Sequence, residues 1–152
     1  MRVHTRYLDD NAELSGSLPS SLADLQNLEV LTASSTSLNG SLPEFSSPLL
    51  TTVAVLDAKL SGTVPASLGS LPLLSVLRLR GNLLSGTIPA ELANAPSLSE
   101  VLLHNNLLTA TVPASLSAKC AAISCTFSST QAAIHAGDLV VLHAIDSTFQ
   151  YV

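Results

Sequence analysis

Two arginines on one short segment are the side chains in this sequence best suited to bind an anion. Arg78 and Arg80 flank Leu79, and residues two apart on a strand point to the same face. Two guanidinium groups side by side can hold a carboxylate or a phosphate. Asp57 and Glu100, on the neighbouring turns of the chain, offer the alternative that both arginines are paired within the protein. The sequence leaves both interpretations open.

A catalytic site is much harder to assemble from the other polar residues. His104 and Asp57 can be combined with one of many serines only on an open surface without an oxyanion hole. His135, Asp138 and His143 share one predicted helix at offsets of three and eight, and they would need a distant fourth ligand to hold a metal. The sequence contains no phosphate-binding loop, dinucleotide fingerprint or kinase segment. We therefore predict a protein that is not an enzyme and carries no cofactor or metal.

Composition excludes two further classes of function. The net charge is −5, only 3% of the residues are aromatic and there is no tryptophan. Nucleic-acid binding by phosphate contacts or base stacking requires the opposite composition. Apolar residues are 47% of the chain, but no run approaches the roughly 18 that cross a membrane. The sequence predicts one domain that neither binds nucleic acid nor spans a bilayer.

The elements that must position these side chains are turns of a repeat, seen most clearly in residues 74–98. Leu77 and Leu79 alternate with polar residues, which indicates a short strand with one buried face. Asn82 follows the strand, where a buried amide can bond to the backbone of neighbouring turns. Pro89 lies on the return path, where no continuous ladder needs its missing N–H. One such turn cannot bury its leucines alone, so turns must stack.

The turn recurs five times in phase. Prolines at positions 19, 43, 65, 89 and 113 are 24, 22, 24 and 24 residues apart, and glycines precede the first four at 16, 40, 62 and 86. This pattern resembles the plant-type leucine-rich repeat, L-x-x-L-x-L-x-x-N-x-L-S-G-x-I-P-x-x-L, over residues 3–117. The repeats are similar to those in ectodomains of plant receptor-like kinases, in polygalacturonase-inhibiting proteins and in trypanosomatid surface antigens.

The resemblance implies an α/β fold, a right-handed solenoid with short parallel strands on its concave side and 3₁₀ or irregular segments on its convex side. We expect residues 1–117 to form five leucine-rich repeats of 22–24 residues. Residues 118–152 are expected to form a C-terminal cap with a cysteine pair and one helix, which Ser128 and Gln131 begin as a capping box. Residues 138–145 also look like the helix that precedes many such arrays, so a second array can follow.

The two cysteines lie where the repeats end. Extracellular arrays of this type are often closed by a disulfide-bearing cap, so the resemblance implies a disulfide between Cys120 and Cys125. The alternative is a pair of reduced thiols packed as small hydrophobes, as in a cytosolic protein.

Asparagines that follow the strands are expected to form a structural ladder of Asn11, Asn82 and Asn106. Two turns lack the asparagine. Thr36 can do part of the amide's work through its hydroxyl, whereas Ala58 leaves backbone groups to water or to neighbouring turns. A separate asparagine, Asn39, begins the triplet Asn-Gly-Ser, which is a candidate for N-glycosylation if the chain is secreted.

By resemblance, we expect the concave face to recognise a protein or a peptide, or alternatively a glycan. When the repeats are aligned, the strand residues that point away from the core should line this face. The candidate binding residues are Asp9, Thr32, Ser34, Leu56, Asp57, Arg78, Arg80, Leu102, His104 and Asn105. The parent protein is expected to be extracellular or at the cell surface. The alternatives are a structural or truncated repeat fragment, and a cytoplasmic scaffold with reduced cysteines. The N-terminus shows neither a signal peptide nor a cap, so the chain is interpreted as a fragment or as an array whose first turn caps itself.

Overall fold

A computed structural model describes residues 5–109 and 111–127. Within this part, each turn of the chain contributes one strand to a main sheet, and most turns contribute a second short strand. In chain order the strands are β1 (Thr5–Tyr7), β2 (Ser15–Ser17), β3 (Val30–Thr32), β4 (Ser37–Ser41), β5 (Thr52–Ala54), β6 (Lys59–Ser61), β7 (Val76–Arg78), β8 (Ser85–Gly86), β9 (Glu100–Leu102), β10 (Leu107–Leu108) and β11 (Ser124–Thr126).

The main sheet is parallel, in the order β1-β3-β5-β7-β9-β11. The middle residues of its four central strands lie in register and are fully buried, and they are Leu31, Val53, Leu77 and Val101. Arg6 pairs with Leu31 in the same register but is exposed, so the apolar column begins at the second turn. The period-two alternation predicted from the sequence is therefore the inside and outside of this sheet.

The second strands follow the point where the chain leaves the main sheet, and they form two smaller parallel sheets. The three-stranded one, β2-β4-β6, is called the side sheet, and the other contains β8 and β10. Gly40 and Gly62 both have a positive φ, 73° and 78°. A Cβ at Gly40 would also approach the Cβ of Ser17 to 3.0 Å, so glycine serves both the backbone conformation and the close stacking.

The convex side consists of 3₁₀ helices that begin directly after the prolines of the repeat, at Ser20–Asp24, Ala66–Ser70 and Ala90–Asn94. They bury leucines such as Leu68 and Leu92 against the strands. Gly69 packs so closely on the next turn that a Cβ there would lie 2.0 Å from the carbonyl oxygen of Glu91. The convex side is thus built as the resemblance implies, with small residues where the turns touch.

The last convex segment is an α-helix, α1 (Ala114–Cys120), which packs on the 3₁₀ helix Ala90–Asn94. Lys119 Nζ donates to the carbonyl oxygens of Ala93, at 3.2 Å, and of Ala95. Both carbonyls lie at the end of the preceding 3₁₀ helix, and that of Ala95 also accepts the backbone N–H of Leu98 at 3.4 Å.

A disulfide joins Cys120 at the end of α1 to Cys125 in β11. The predicted disulfide is therefore confirmed, and the alternative of two reduced thiols is not what the structure holds. β11 extends the main sheet by a sixth strand. The helix expected from Ser128, together with His135, Asp138 and His143, lies outside the described residues.

Candidate functional site

The asparagine ladder joins successive turns at the end of the main strands. Asn82 Nδ2 donates to the carbonyls of Val55 in the preceding turn, at 2.7 Å, and of Leu79 in its own turn, at 3.0 Å. Its Oδ1 accepts the backbone N–H of Leu60 at 3.0 Å. The amide is buried and has its hydrogen bonds made inside the protein, which gives it a structural role.

Asn106 repeats this arrangement one turn later. It donates to Leu79 and Leu103, both at 2.9 Å, and accepts the N–H of Leu84 at 3.0 Å. Asn11 differs, because it is exposed and bonds the carbonyls of Leu8 and Asp9 within its own turn.

At the rim of the concave face, one residue in each of the five turns has a left-handed backbone conformation. These positions have φ between 52° and 71°, and they are Asp10, Ser35, Asp57, Gly81 and Asn105. Glycine, asparagine and aspartate tolerate this conformation best. The residue types at Asp57 and Asn105, two of the candidate binding positions, are therefore favoured by the backbone before any ligand is considered. Both side chains are exposed at the rim of the face.

Backbone hydrogen bonds align the candidate residues into one column across the concave face. The N–H of Asp10 donates to Ser34 O, that of Ser35 to Leu56 O, that of Asp57 to Arg80 O and that of Gly81 to His104 O, at 2.8–3.1 Å. The column therefore runs Asp9, Ser34, Leu56, Arg80 and His104. A parallel column, set by the strand register, contains Tyr7, Thr32, Ala54, Arg78, Leu102 and Thr126.

Arg80 forms an ion pair with Asp57, at 2.7 Å between Nη2 and Oδ2. Gly81 makes this possible, since a Cβ there would lie 2.1 Å from Oδ1 of Asp57. The side chains of Arg80 and Asp57 remain 41% and 53% exposed. Arg80 Nε is buried without a hydrogen-bond partner among the described residues, so only the outer nitrogens of this guanidinium can meet a ligand.

Arg78 forms the second ion pair. Its Nε and Nη2 both donate to Oε2 of Glu100, at 3.0 and 2.7 Å. The structure thus contains the internal pairing that the sequence offered as an alternative to anion binding. The Arg80–Asp57 pair is exposed, and such pairs contribute only about 0–1 kcal/mol, so a ligand carboxylate can replace Asp57 at small cost. The Glu100 side chain is only 22% exposed, so the same low cost does not apply to the Arg78–Glu100 pair.

At the acidic end of the face, Asp9 is hydrogen-bonded to residues of the second turn. Asp9 Oδ1 accepts the backbone N–H of Ser34 at 2.6 Å, and Oδ2 accepts the hydroxyl of Thr32. Burial opposes the charged form, but these hydrogen bonds outweigh it and lower the pKa of the Asp9 carboxyl. Tyr7, beside Asp9 on the same face, is 71% exposed. Asp9 and Thr32 therefore join two turns and leave the tyrosine ring open to solvent.

His104 lies at the opposite end, where Nδ1 is 2.7 Å from the hydroxyl of Thr126 in β11. Burial and the nearby Arg80 charge lower the pKa of His104, although Asp57 opposes this. Asp57 pairs with Arg80 and not with the imidazole, so the Ser-His-Asp combination is not assembled. Thr126 was missing from the sequence-based site, yet it stands 24 residues after Leu102, which is the repeat spacing that could have found it.

Residues 5–109 and 111–127 contain no group of histidine, cysteine, aspartate and glutamate that can hold a metal ion. No helix in that same part of the chain has both the length and the apolar character needed to cross a membrane.

The model of the family Leucine Rich Repeat matches residues 73–95, the turn that carries Arg78, Arg80 and Asn82. The chain is a leucine-rich-repeat protein. Its repeats are of the plant type, as comparison with solved structures shows. No curated protein sequence gives a significant match.

The leucine-rich-repeat chain is similar to several solved receptor structures. The plant peptide hormone receptor RGFR1, in complex with RGF2, is 33% identical over 85% of this chain and 20% of that chain, with a TM-score of 0.77. The Arabidopsis receptor kinase HAESA, in complex with the peptide hormone IDA and the co-receptor SERK1, is 33% identical over 82% of this chain and 21% of that chain, with a TM-score of 0.71.

A third structure is of more similar length. The leucine-rich-repeat ectodomain of the receptor kinase SOBIR1 from Arabidopsis thaliana is 25% identical over 86% of this chain and 68% of that chain, with a TM-score of 0.71. By contrast, the chain spans about a fifth of the RGFR1 and HAESA chains.

Proposed function

We propose that this chain is a non-catalytic recognition module that binds an extended peptide across its concave face. The observation that carries the proposal is the exposed Arg80–Asp57 ion pair, which lies beside the partly buried Arg78–Glu100 pair on the concave face. Solved structures of similar repeats hold peptide ligands, RGF2 on RGFR1 and IDA on HAESA. The proposed contact residues are Asp9, Thr32, Ser34, Leu56, Asp57, Arg78, Arg80, Leu102, His104 and Asn105, to which we add Tyr7 and Thr126.

The dimensions of the face suit a short peptide that crosses the strands. Neighbouring strands are spaced by about 4.8 Å, so the six strands of the main sheet span roughly 24 Å. An extended chain covers this distance in about seven residues, at roughly 3.3–3.4 Å each. Each ligand residue would then lie over about one turn of the solenoid.

The chemistry of the face selects where an anionic ligand group binds. Arg78 and Arg80 lie on the fourth turn and are paired in the free protein with Glu100 and Asp57. A ligand carboxylate that takes the place of Asp57 leaves this aspartate in solvent, where it is already half exposed. Leu56, just after β5, and Leu102, at the end of β9, supply apolar contact area beside the charges.

The disulfide supports an extracellular or cell-surface location, because such bonds persist in oxidising compartments. It disfavours the intracellular scaffold with reduced cysteines. We further propose that residues 1–117 are the repeat array and residues 118–152 its C-terminal cap, in which β11 completes the sheet.

Selection from a library of linear seven- to twelve-residue peptides tests this function. Immobilised disulfide-bonded protein is the bait, and Arg80→Glu is the counter-selection bait. A surface variant on the convex side, Glu91→Lys, carries a charge reversal of equal size and opposite sign away from the face. We expect peptides that bind the unchanged chain and Glu91→Lys but not Arg80→Glu. Selected peptides that bind all three proteins equally would contradict recognition through the concave face.

A further inference from the structure

The side sheet carries a chemical motif that peptide recognition does not use. Asn39, Gly40 and Ser41 form an Asn-x-Ser triplet, and no other Asn-x-Ser/Thr triplet without proline occurs in the 152 residues. This triplet is the acceptor pattern for N-linked glycans on secreted proteins. Short patterns also arise by chance in serine-rich chains, so the argument depends on where the fold places it.

The fold places Asn39 at an accessible position. It lies in β4, the middle strand of the β2-β4-β6 sheet, between Ser17 and Lys59 in register. Asn39 and the hydroxyl-bearing Ser41 are both exposed. Its neighbours are a small and a flexible side chain, and the space beside Gly16 is open, since a Cβ there would meet nothing within 4 Å.

The position does not require an asparagine for structural reasons. Its backbone does not have the positive φ that would favour this residue. Asn39 directly precedes the glycine of the repeat pattern. The residues at this place in the pattern of the other turns are serine or threonine, namely Ser15, Ser61, Ser85 and Thr109.

Two of those hydroxyls hold the preceding turn. Ser85 Oγ donates to the carbonyl of Gly62 at 3.3 Å, and Thr109 Oγ1 to that of Gly86 at 3.5 Å. The Asn39 side chain makes no such hydrogen bond within the described residues, which leaves its amide nitrogen free for modification.

We propose that the side-chain nitrogen of Asn39 carries an N-linked glycan. In the transfer, this nitrogen bonds to the anomeric carbon of a sugar supplied by a lipid-linked diphosphate donor. The nitrogen loses one proton and the lipid diphosphate leaves with the bonding electrons. The proposal rests on the secretory location given above, which the Cys120–Cys125 disulfide supports, and not on peptide binding.

A glycan at this position has a consequence for partners. It covers the side sheet around Asn39 and excludes a second macromolecule from that surface. The concave face belongs to a different sheet, so the face that carries Arg78 and Arg80 stays open. The glycan therefore directs recognition to the concave side without contributing to it.

Translation of the full chain behind a cleavable secretion signal, in the presence of endoplasmic-reticulum microsomes, tests the site. We expect a single heavier, protease-protected species that loses its sugar with peptide-N-glycosidase, which leaves aspartate at position 39 and a product about one dalton heavier than the unmodified chain. Asn39→Gln and Ser41→Ala should abolish the heavier species, whereas Ser41→Thr, which keeps the triplet, should retain it.

Signal-cleaved, microsome-protected chain with an unmodified Asn39 would overturn the proposal. A heavier species that persists in Asn39→Gln would do the same, because it would place the sugar elsewhere. Peptide affinity gives a separate readout, since glycosylated protein and Asn39→Gln should bind a selected peptide equally whether or not the glycan is found.

Discussion

Thr36 bonds the two backbone groups that a ladder asparagine at position 58 would reach. Asn82 lies in the fourth turn, and it bonds Val55 O and Leu60 N in the third turn. The equivalent atoms 22 residues earlier are Ala33 O and Leu38 N, and the Thr36 hydroxyl bonds both, at 3.0 and 3.5 Å. Ala58 supplies no amide, and a hydroxyl from within the second turn replaces it.

This relationship predicts an energetic coupling between the two positions. Thr36→Val leaves two buried backbone groups unpaired, and we expect the free energy of unfolding to fall by about 1–3 kcal/mol. Ala58→Asn should restore much of this loss in the Thr36→Val protein but not stabilise the unchanged chain, where the sites are already occupied. Urea unfolding of the double-mutant cycle measures the coupling.

Thr36→Ser, which keeps the hydroxyl, is the matched control and should cost much less than Thr36→Val. Equal effects of Ala58→Asn in both backgrounds would show that the two residues do not share partners.

The close contact at Gly69 predicts that adding one methyl group there lowers the stability of the protein substantially. Since a Cβ would lie 2.0 Å from the carbonyl oxygen of Glu91, Gly69→Ala must push two convex turns apart. We expect a loss of about 1–3 kcal/mol or more in the free energy of unfolding, as for other overpacked sites. Ser70→Ala, at the exposed neighbouring position, should change little in the same urea titration. A Gly69→Ala protein as stable as the unchanged chain would mean that the turns are not in contact there.

The hydrogen bonds on Asp9 predict a pH dependence with a definite sign. They lower the folded-state pKa of Asp9 below the ordinary value of an aspartate carboxyl, 3.8. The charged form is therefore stabilised by folding, and this contribution is complete above pH 3.8 and is lost as the pH falls through the lower folded value. Asp9→Asn should destabilise the protein at pH 6, and the difference should shrink as the solution is acidified below pH 3.8.

Unfolding free energies of the unchanged chain and Asp9→Asn, measured across that range, check the prediction. Asp10→Asn, at an exposed position whose left-handed backbone asparagine tolerates, is the control for altered net charge. An Asp9→Asn penalty that stays constant or grows on acidification would contradict the assignment.

Much of the fold was predictable because stacking imposes one period on the whole chain. The spacing of 22 and 24 residues placed Ser34, Leu56, Arg80 and His104 in one column, and backbone hydrogen bonds show the same alignment. The disulfide was also anticipated. The column depends only on chain spacing and on the recurrence of residue types, whereas the disulfide was implied by the resemblance to extracellular repeat arrays.

Other features depend on three-dimensional neighbours and escaped the sequence. The choice between anion binding and internal pairing for Arg80 depends on the room that Gly81 leaves for Asp57, which no spacing reveals. The left-handed conformation at Asp57 and Asn105 explains their residue types without a ligand. The binding roles of the concave residues accordingly stay predictions.

Affinity for a selected anionic peptide, measured across three variants, tests the proposed recognition most directly. Asp57→Asn keeps a residue that tolerates the left-handed backbone and removes the internal competitor of Arg80. It should tighten binding by up to about fivefold, the equivalent of an exposed ion pair of about 1 kcal/mol. Arg80→Gln should weaken binding, and Glu91→Lys on the convex side should leave it unchanged. The same affinity in Arg80→Gln and in the unchanged chain would contradict peptide recognition by this face.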